Sequence, residues 1–173
     1  PILESNSYEF ISRSPEQTRR VGMRLGAELK SGDIICLEGD LGAGKTTLVQ
    51  GLASGWGSTD PISSPTYVLV NQYRRIDDER FAHLDAYRLQ NAMDADALDL
   101  EELIANGPLV VEWAPRIIEV LPEENLNIKM TPFSVGGTKK DSRGTVASTM
   151  RFFQKNNNWK TGDHQRLYKD ILV

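Results

Sequence analysis

The chain has 173 residues and a formal net charge of −4, from 20 lysines and arginines against 24 aspartates and glutamates. This length suits one domain with a substantial hydrophobic core, and the mild acidity gives no reason to expect a polyanionic partner for the chain as a whole. The single cysteine, Cys36, excludes an internal disulfide and a cysteine-rich zinc site, and without a run of about 18 apolar residues or a signal peptide we expect a soluble cytoplasmic protein.

The charge is unevenly distributed along the chain. Residues 1–128 hold 11 basic and 21 acidic residues, a net charge of −10, whereas residues 129–173 hold 9 basic and 3 acidic residues, a net charge of +6. The basic segment either binds RNA or an acidic protein surface, or simply offsets the acidic body of the chain. We expect one domain over residues 1–150 and a basic tail over 151–173 that is partly mobile or forms a docking helix.

The first segment predicts an edge strand followed by a helix. Residues 8–12 form the strand, and Ser14 then has the properties of an N-cap, with Gln17 placed to close a capping box. Apolar residues recur at every fourth position over residues 21–29, which predicts the buried face of a helix that ends at Gly32.

The next segment carries a phosphate-binding motif. Residues 33–38 predict a buried strand, residues 39–46 fit G-x-x-x-x-G-K-[ST], and apolar residues at helical spacing follow at 47–53. Glycines let backbone N–H groups surround a phosphate, and the helix directs its positive end to the same anion. In this setting Lys45 reaches the β- and γ-phosphates and Thr46 binds Mg²⁺. The sequence therefore predicts a nucleotide site.

A glycine- and proline-rich loop over residues 55–65 follows the phosphate-loop helix. Loops of this length in compact domains are often functional, and this one is placed where a nucleotide-sensing switch could lie. Ser64 and Thr66 would then approach the γ-phosphate or Mg²⁺. The residues alone favour the other interpretation, an ordinary connector with a Ser-Pro turn.

The later elements continue an α/β order. Residues 67–73 and 80–85 predict a β-hairpin, residues 94–104 an acidic helix, and residues 109–112 a central strand that leads into a turn or short helix. Two more strands are predicted, and they are expected to pair across a hairpin loop at residues 136–141; these strands cover residues 126–130 and 144–148.

Two acidic residues end predicted strands, Asp85 and Glu112. In open α/β sheets ligands bind beyond the carboxyl ends of the strands, so either carboxylate could face the metal. Glu112 follows the more apolar strand, which we expect to lie beside the phosphate loop, so we assign it to Mg²⁺ and Asp85 to the γ-phosphate or the attacking water. Each could instead be a helix cap or an ion-pair partner. His83 lies on the same strand face as Asp85 and is expected to orient it by a hydrogen bond.

Four motifs occur in an order and at spacings that resemble one known family. They are the phosphate loop with its following threonine at 39–47, Ser-Pro-Thr-Tyr at 64–67, His-Leu-Asp-Ala-Tyr-Arg-Leu at 83–89 and Val-Glu-Trp at 111–113. Together they closely resemble the bacterial TsaE (YjeE) family of small P-loop ATPases, which supports synthesis of threonylcarbamoyladenosine in tRNA. The match covers about residues 8–128, and only its first motif is generic.

The resemblance implies a single-domain α/β fold of the P-loop nucleotide hydrolase type, with a mixed, partly parallel sheet flanked by helices. It implies ATP hydrolysis with Mg²⁺ and partnership with the TsaD and TsaB proteins, so that any action on tRNA is indirect, through that complex. By position, Thr46 and Glu112 are metal ligands, and Lys45, Asp85 and Glu112 are catalytic. The residues expected at the nucleotide are Glu16, Gly42, Ala43, Gly44, Lys45, Thr46, Thr47, Ser64, Thr66, Asp85 and Arg143.

The chain departs from the family pattern in three places. Residues 114–116 lack an acidic residue that the family often has after the Val-Glu-Trp motif, and no glycine precedes Glu101 and Glu102. Residues from about 150 onward match no part of the family. These departures lie outside the nucleotide motifs and bear on partner contacts and on direct contact of the tail with tRNA.

Two other functions use the same loop. A small-molecule or nucleoside kinase would need an acceptor pocket and an arginine-bearing lid, and the sequence shows no lid with clustered arginines. A nucleotide-dependent binding switch with negligible turnover is the third hypothesis.

Overall fold

The computed structural model describes residues 7–40, 42–62, 69–133 and 147–153. All its strands belong to a single seven-stranded sheet. They are β1 (Ser7–Ser12), β2 (Ile34–Gly39), β3 (Val70–Arg74), β4 (Arg80–Asp85), β5 (Leu109–Glu112), β6 (Leu126–Phe133) and β7 (Ala147–Phe153). Their order across the sheet is β1–β7–β6–β2–β5–β4–β3.

The centre of the sheet is parallel and its two margins are antiparallel. Strands β6, β2, β5 and β4 run parallel, while β3 pairs with β4 and β7 pairs with both β6 and β1 in the antiparallel sense. The mixed, partly parallel sheet is therefore confirmed. So are the edge position of β1, the β3–β4 hairpin and the place of β5 beside β2.

Helices cover the two faces of the sheet. The α-helices are α1 (Pro15–Gly26), α2 (Lys45–Trp56), α3 (Ala92–Asp96) and α4 (Leu100–Asn106), and two 3₁₀ segments cover Ala86–Arg88 and Ala114–Ile117. Helices α1 and α2 pack on one face through residues such as Leu25 and Leu52. The shorter helices contribute to the core on the opposite face, which includes the buried Cys36.

Helices α1 and α2 pack unusually closely because glycines form their contact. A Cβ added to Gly26 would lie 2.0 Å from the Leu52 carbonyl oxygen, and one added to Gly22 would lie 2.6 Å from that of Leu48. On α2, Gly51 and Gly55 approach the carbonyls of Arg19 and Met23 in the same way. Since the contacts advance together along both helices, the helices are parallel and their N-terminal ends point to the same side.

The predicted start of α1 is confirmed and its predicted end is wrong. The Ser14 hydroxyl accepts a hydrogen bond from Gln17 N, while the Gln17 side chain accepts from Arg13 N rather than from the N-cap itself. The helix ends at Gly26 and not near Gly32, although Leu29 is still buried in the turn that follows.

Two other helix predictions need correction. Helix α2 continues to Trp56, beyond the loop start expected at Gly55, because Gly57 (φ 106°) provides the left-handed cap. The single helix expected over residues 94–104 is two short helices, because Asp99 has φ 49° and caps α4 by accepting a hydrogen bond from Glu102 N.

The last described strand has the predicted partner, but its bounds differ from those predicted. Strand β7 pairs with β6, as expected for the segment predicted at 144–148, but it continues to Phe153. The hairpin loop at 136–141 and residues 154–173 of the tail lie outside the described residues, as do the first residues of the strand predicted at 67–73. Within the described ranges, no helix is both long and apolar enough to cross a membrane.

Candidate functional site

The phosphate-loop motif lies between a central strand and the start of a helix. Strand β2 ends at Gly39 and α2 begins at Lys45. Gly42 and Gly44 have φ values of 82° and 96°, in the left-handed region that favours glycine. Gly44 caps α2 without a side-chain hydrogen bond to the first turn of the helix. This geometry suits an anion held by main-chain N–H groups.

The Lys45 side chain folds back over the loop. Its Nζ donates a hydrogen bond to the carbonyl of Gly39 and lies 5.3 Å from the centroid of the Trp113 ring. Trp113 follows β5, has φ 58° and is 40% exposed. The ammonium group is therefore held at the loop by a carbonyl and an aromatic face.

The two strand-end acids lie in one row across the sheet. Glu112 on β5 is the register partner of Leu37 on β2 and of Asp85 on β4. Because Leu37 belongs to the core under α1 and α2, the row lies on the face that carries the phosphate-loop helix. The structure thus brings Asp85 and Glu112 together at the carboxyl end of the parallel strands, where β2 enters the loop.

Asp85 has a structural role as well. Its Oδ1 accepts a hydrogen bond from Tyr87 N at 3.0 Å and caps the 3₁₀ segment that follows β4. The side chain is partly exposed, and an ionised carboxylate can accept further hydrogen bonds at its second oxygen. The capping role that the sequence left open is therefore present, and it fixes the direction of the carboxylate.

Glu112 and His83 approach each other below this row. His83 Nε2 lies 3.3 Å from Glu112 Oε1, and their side chains are 2% and 12% exposed. The approach lacks hydrogen-bond geometry, and within the described part of the chain neither ring nitrogen of His83 has a hydrogen-bond partner. His83 was expected to orient Asp85, but the structure brings it to Glu112.

The remaining expected nucleotide residues fall into two groups. Glu16 is exposed in the first turn of α1, and because α1 and α2 are parallel it lies at the same end of the domain as Lys45. Ser64, Thr66 and Arg143 lie outside the described residues, so their predicted contacts stay predictions.

An aromatic pair borders the site, and no role was predicted for it from its residues in the sequence. The rings of Tyr87 and Trp113 have centroids 5.1 Å apart, and Arg116 lies 5.4 Å from the Tyr87 ring. Tyr87 is 54% exposed. The signal was available, since each residue follows a strand-end acid within two positions.

Two residues of the site carry oxygen donors of the kind that Mg²⁺ takes. Among the described residues, no group of three or more His, Cys, Asp or Glu side chains is arranged to hold a metal ion. Mg²⁺ is commonly held by one or two protein oxygens together with substrate phosphates and water. The Thr46 hydroxyl at the start of α2 and the Glu112 carboxylate are oxygen ligands of that kind.

A glycine-rich loop between a central parallel strand and a helix, with acids at the ends of neighbouring strands, defines the P-loop class of proteins. The chain matches the family model described as "Threonylcarbamoyl adenosine biosynthesis protein TsaE" over residues 12–139. The chain therefore belongs to the TsaE family, as its motifs predicted.

Individual relatives agree with the family match. A protein of Streptomyces coelicolor named "tRNA threonylcarbamoyladenosine biosynthesis protein TsaE" is 35% identical over 147 residues, which cover 84% of this chain and 95% of the relative. A Nostoc protein of the same name is 43% identical over 122 residues, or 67% and 73% of the two chains. The crystal structure of Bacillus subtilis YdiB superposes with a TM-score of 0.68 at 28% identity, over 95% of this chain and 93% of that one.

Proposed function

We propose that this protein is a Mg²⁺-dependent ATPase that supports threonylcarbamoyladenosine modification of tRNA as a partner of TsaB and TsaD. The observation that carries the proposal is the register of the sheet. It aligns Glu112 and Asp85 beside the strand that enters the phosphate loop, so an anion site and two carboxylates share one edge. The names of the relatives supply the connection with tRNA modification.

Each residue has a chemical task in this proposal. Main-chain N–H groups of residues 42–47 hold the β- and γ-phosphates, and Lys45 exchanges its hydrogen bond with Gly39 for one with a phosphate oxygen. Thr46 and Glu112 would hold Mg²⁺, which when bound would neutralise charge that develops on the phosphate oxygens. Asp85 orients the attacking water.

Hydrolysis in this site is an in-line transfer of the γ-phosphoryl group to water. The water oxygen bonds to the γ-phosphorus, the bond from phosphorus to the β,γ-bridging oxygen breaks, and ADP leaves with that electron pair. The water proton passes to Asp85 or to a phosphate oxygen and then to solvent. Positioning and electrostatic stabilisation supply the catalysis, since no covalent bond to the protein forms.

Purified protein is incubated with ATP and Mg²⁺, with and without an added nucleoside. The two products measured are inorganic phosphate and phosphorylated nucleoside. We expect inorganic phosphate without any added acceptor, and a higher rate of its release when TsaB and TsaD are present. Phosphate transferred to a nucleoside would instead support a kinase. ATP binding without turnover, in the presence and absence of TsaB and TsaD, would support a binding switch and refute the ATPase.

A further inference from the structure

His83 is a buried ionisable side chain to which the proposed chemistry gives no task. It is 1% exposed and lies on β4 between Phe81, which is in the core, and Asp85, which is partly exposed. Alternation along the strand places all three side chains on the face covered by α1 and α2. His83 therefore lies directly beneath the row of acids at the candidate site.

The burial of His83 is energetically unfavourable unless its ring has a partner. Neither ring nitrogen has a hydrogen bond within the described residues, and a buried polar atom without a partner destabilises the fold because it has lost its hydrogen bonds to water. Buried polar groups without partners are rare in native proteins, and those that occur are often functional. The nearby acceptor is Glu112 Oε1, 3.3 Å from Nε2. A hydrogen bond between these two atoms would give both buried groups a partner.

The sheet explains why Glu112 reaches His83. Glu112 is the register partner of Asp85, and Val110 is that of His83, so Glu112 and His83 are diagonal neighbours on adjacent strands. Diagonal neighbours are within reach of long side chains. The Glu112 side chain is only 12% exposed and its Oε1 lies 3.3 Å from His83 Nε2, so the carboxylate has little contact with solvent. A carboxylate so largely removed from water requires a donor.

We propose that His83 is a positioning residue for Glu112. Its ring donates Nε2–H to Oε1, which fixes the rotamer of Glu112 and leaves Oε2 for the metal. The metal part of this inference rests on the proposed function, whereas the contact between His83 and Glu112 does not. Residues that orient a metal ligand typically change metal affinity about 10–100-fold when they are removed.

Three substitutions separate positioning from simple packing. His83→Leu removes both nitrogens at similar volume, His83→Gln places an amide N–H near the position of Nε2, and His83→Asn places one near Nδ1. Metal affinity is measured by titrating Mn²⁺ into protein that holds a non-hydrolysable ATP analogue, and affinity for the analogue is measured separately in EDTA.

We expect metal affinity to fall about 10–100-fold in His83→Leu and His83→Asn and to recover to within about threefold of the original chain in His83→Gln. Affinity for the analogue in EDTA should be the same in all four proteins. Unchanged metal affinity in His83→Leu would overturn the inference, and so would equal losses in His83→Gln and His83→Asn. If His83→Leu fails to fold, the comparison of Gln with Asn still decides.

A second measurement needs neither nucleotide nor metal. ¹H–¹⁵N NMR of the ring reports the chemical shift of the Nε2–H proton, which moves downfield when that proton is hydrogen bonded to a carboxylate. We expect a downfield Nε2–H resonance in the original chain and an upfield shift of this resonance in Glu112→Leu. The same Nε2–H chemical shift in both proteins would refute the contact while the ATPase proposal stands. A protein that shows the shift but does not bind the analogue would refute the proposed function and leave the contact supported.

Discussion

The close contact of α1 with α2 predicts that Gly26→Ala destabilises the protein, although glycine to alanine in a helix usually stabilises. In an unobstructed helix interior, glycine to alanine stabilises a protein by about 1 kcal/mol. At Gly26 the new Cβ would lie 2.0 Å from the Leu52 carbonyl oxygen, where ordinary contacts begin at 3.4 Å. The helices must therefore separate by more than about 1 Å at a crossing packed with Leu25 and Leu52.

The magnitude follows from two opposing terms. Overpacking of a well-packed core typically costs about 1–3 kcal/mol, and a backbone atom at this distance places Gly26→Ala at the upper end. Because Gly26 is the last residue of α1, helix propensity returns at most about 1 kcal/mol, so the free energy of unfolding should fall by about 2 kcal/mol. For a chain of this size, that corresponds to a decrease in Tm of about 4–8 °C.

Thermal unfolding followed by circular dichroism measures the change. Ser54→Ala is a matched control, because Ser54 is an exposed residue of α2 and its substitution should change stability by no more than about 0.5 kcal/mol. The reasoning is refuted if Gly26→Ala raises Tm, as it would in a helix whose glycine met no neighbour.

Three further substitutions test other parts of the structure. Lys45→Ala should weaken ATP binding by at least about tenfold in a calorimetric titration. The control is Lys30→Ala, which lies before β2 at the opposite end of the parallel strands and should bind ATP normally. If Lys45→Ala binds ATP as tightly as the original chain, the loop is not the nucleotide site. Glu112→Ala should retain measurable ATP binding while phosphate release falls to background, and normal turnover would contradict its assignment. Arg75→Leu should slightly lower the urea midpoint of unfolding, since it removes hydrogen bonds to Asp77 and the stacking 4.4 Å from the Trp56 ring. The hydrogen bond from Arg75 lowers the pKa of Asp77, so this difference should be complete above the ordinary carboxyl pKa and decrease as pH falls through the lowered one; a difference independent of pH would show that the ion pair contributes nothing.

Local patterns in the sequence predicted the elements that build the site. The phosphate loop, the apolar strands β2 and β5 and the Ser14 cap each depend on residues close together in the chain, and each was found where expected. The row of Asp85 and Glu112 followed from the rule that strand ends meet at one edge of a sheet.

Features that depend on tertiary contacts were missed. The end of α1 at Gly26 and the continuation of α2 through Gly55 were not predicted, and both glycines lie at the contact between the two helices, which intrinsic propensity does not reveal. The spacing of Gly22 with Gly26 and of Gly51 with Gly55 was a sign of close helix packing in the sequence. Likewise, an Asp three positions before Glu102 was a capping signal within the helix that the structure divides.

The order of the strands imposes a sequence on folding. Strand β1 joins the sheet only through β7, which inserts between it and β6, so the first and the last described strands must meet before the sheet is complete. During synthesis the partner strand of β1 is made last among the described strands, so β1 cannot form its native pairing until then. The central parallel strands around the phosphate loop are made earlier and can pair first. Pairing between such distant segments is slow. Loss of β7 would leave β1 without a partner in the sheet and would turn β6 into an open edge. A truncation that removes β7 would therefore also disrupt the first strand of the domain.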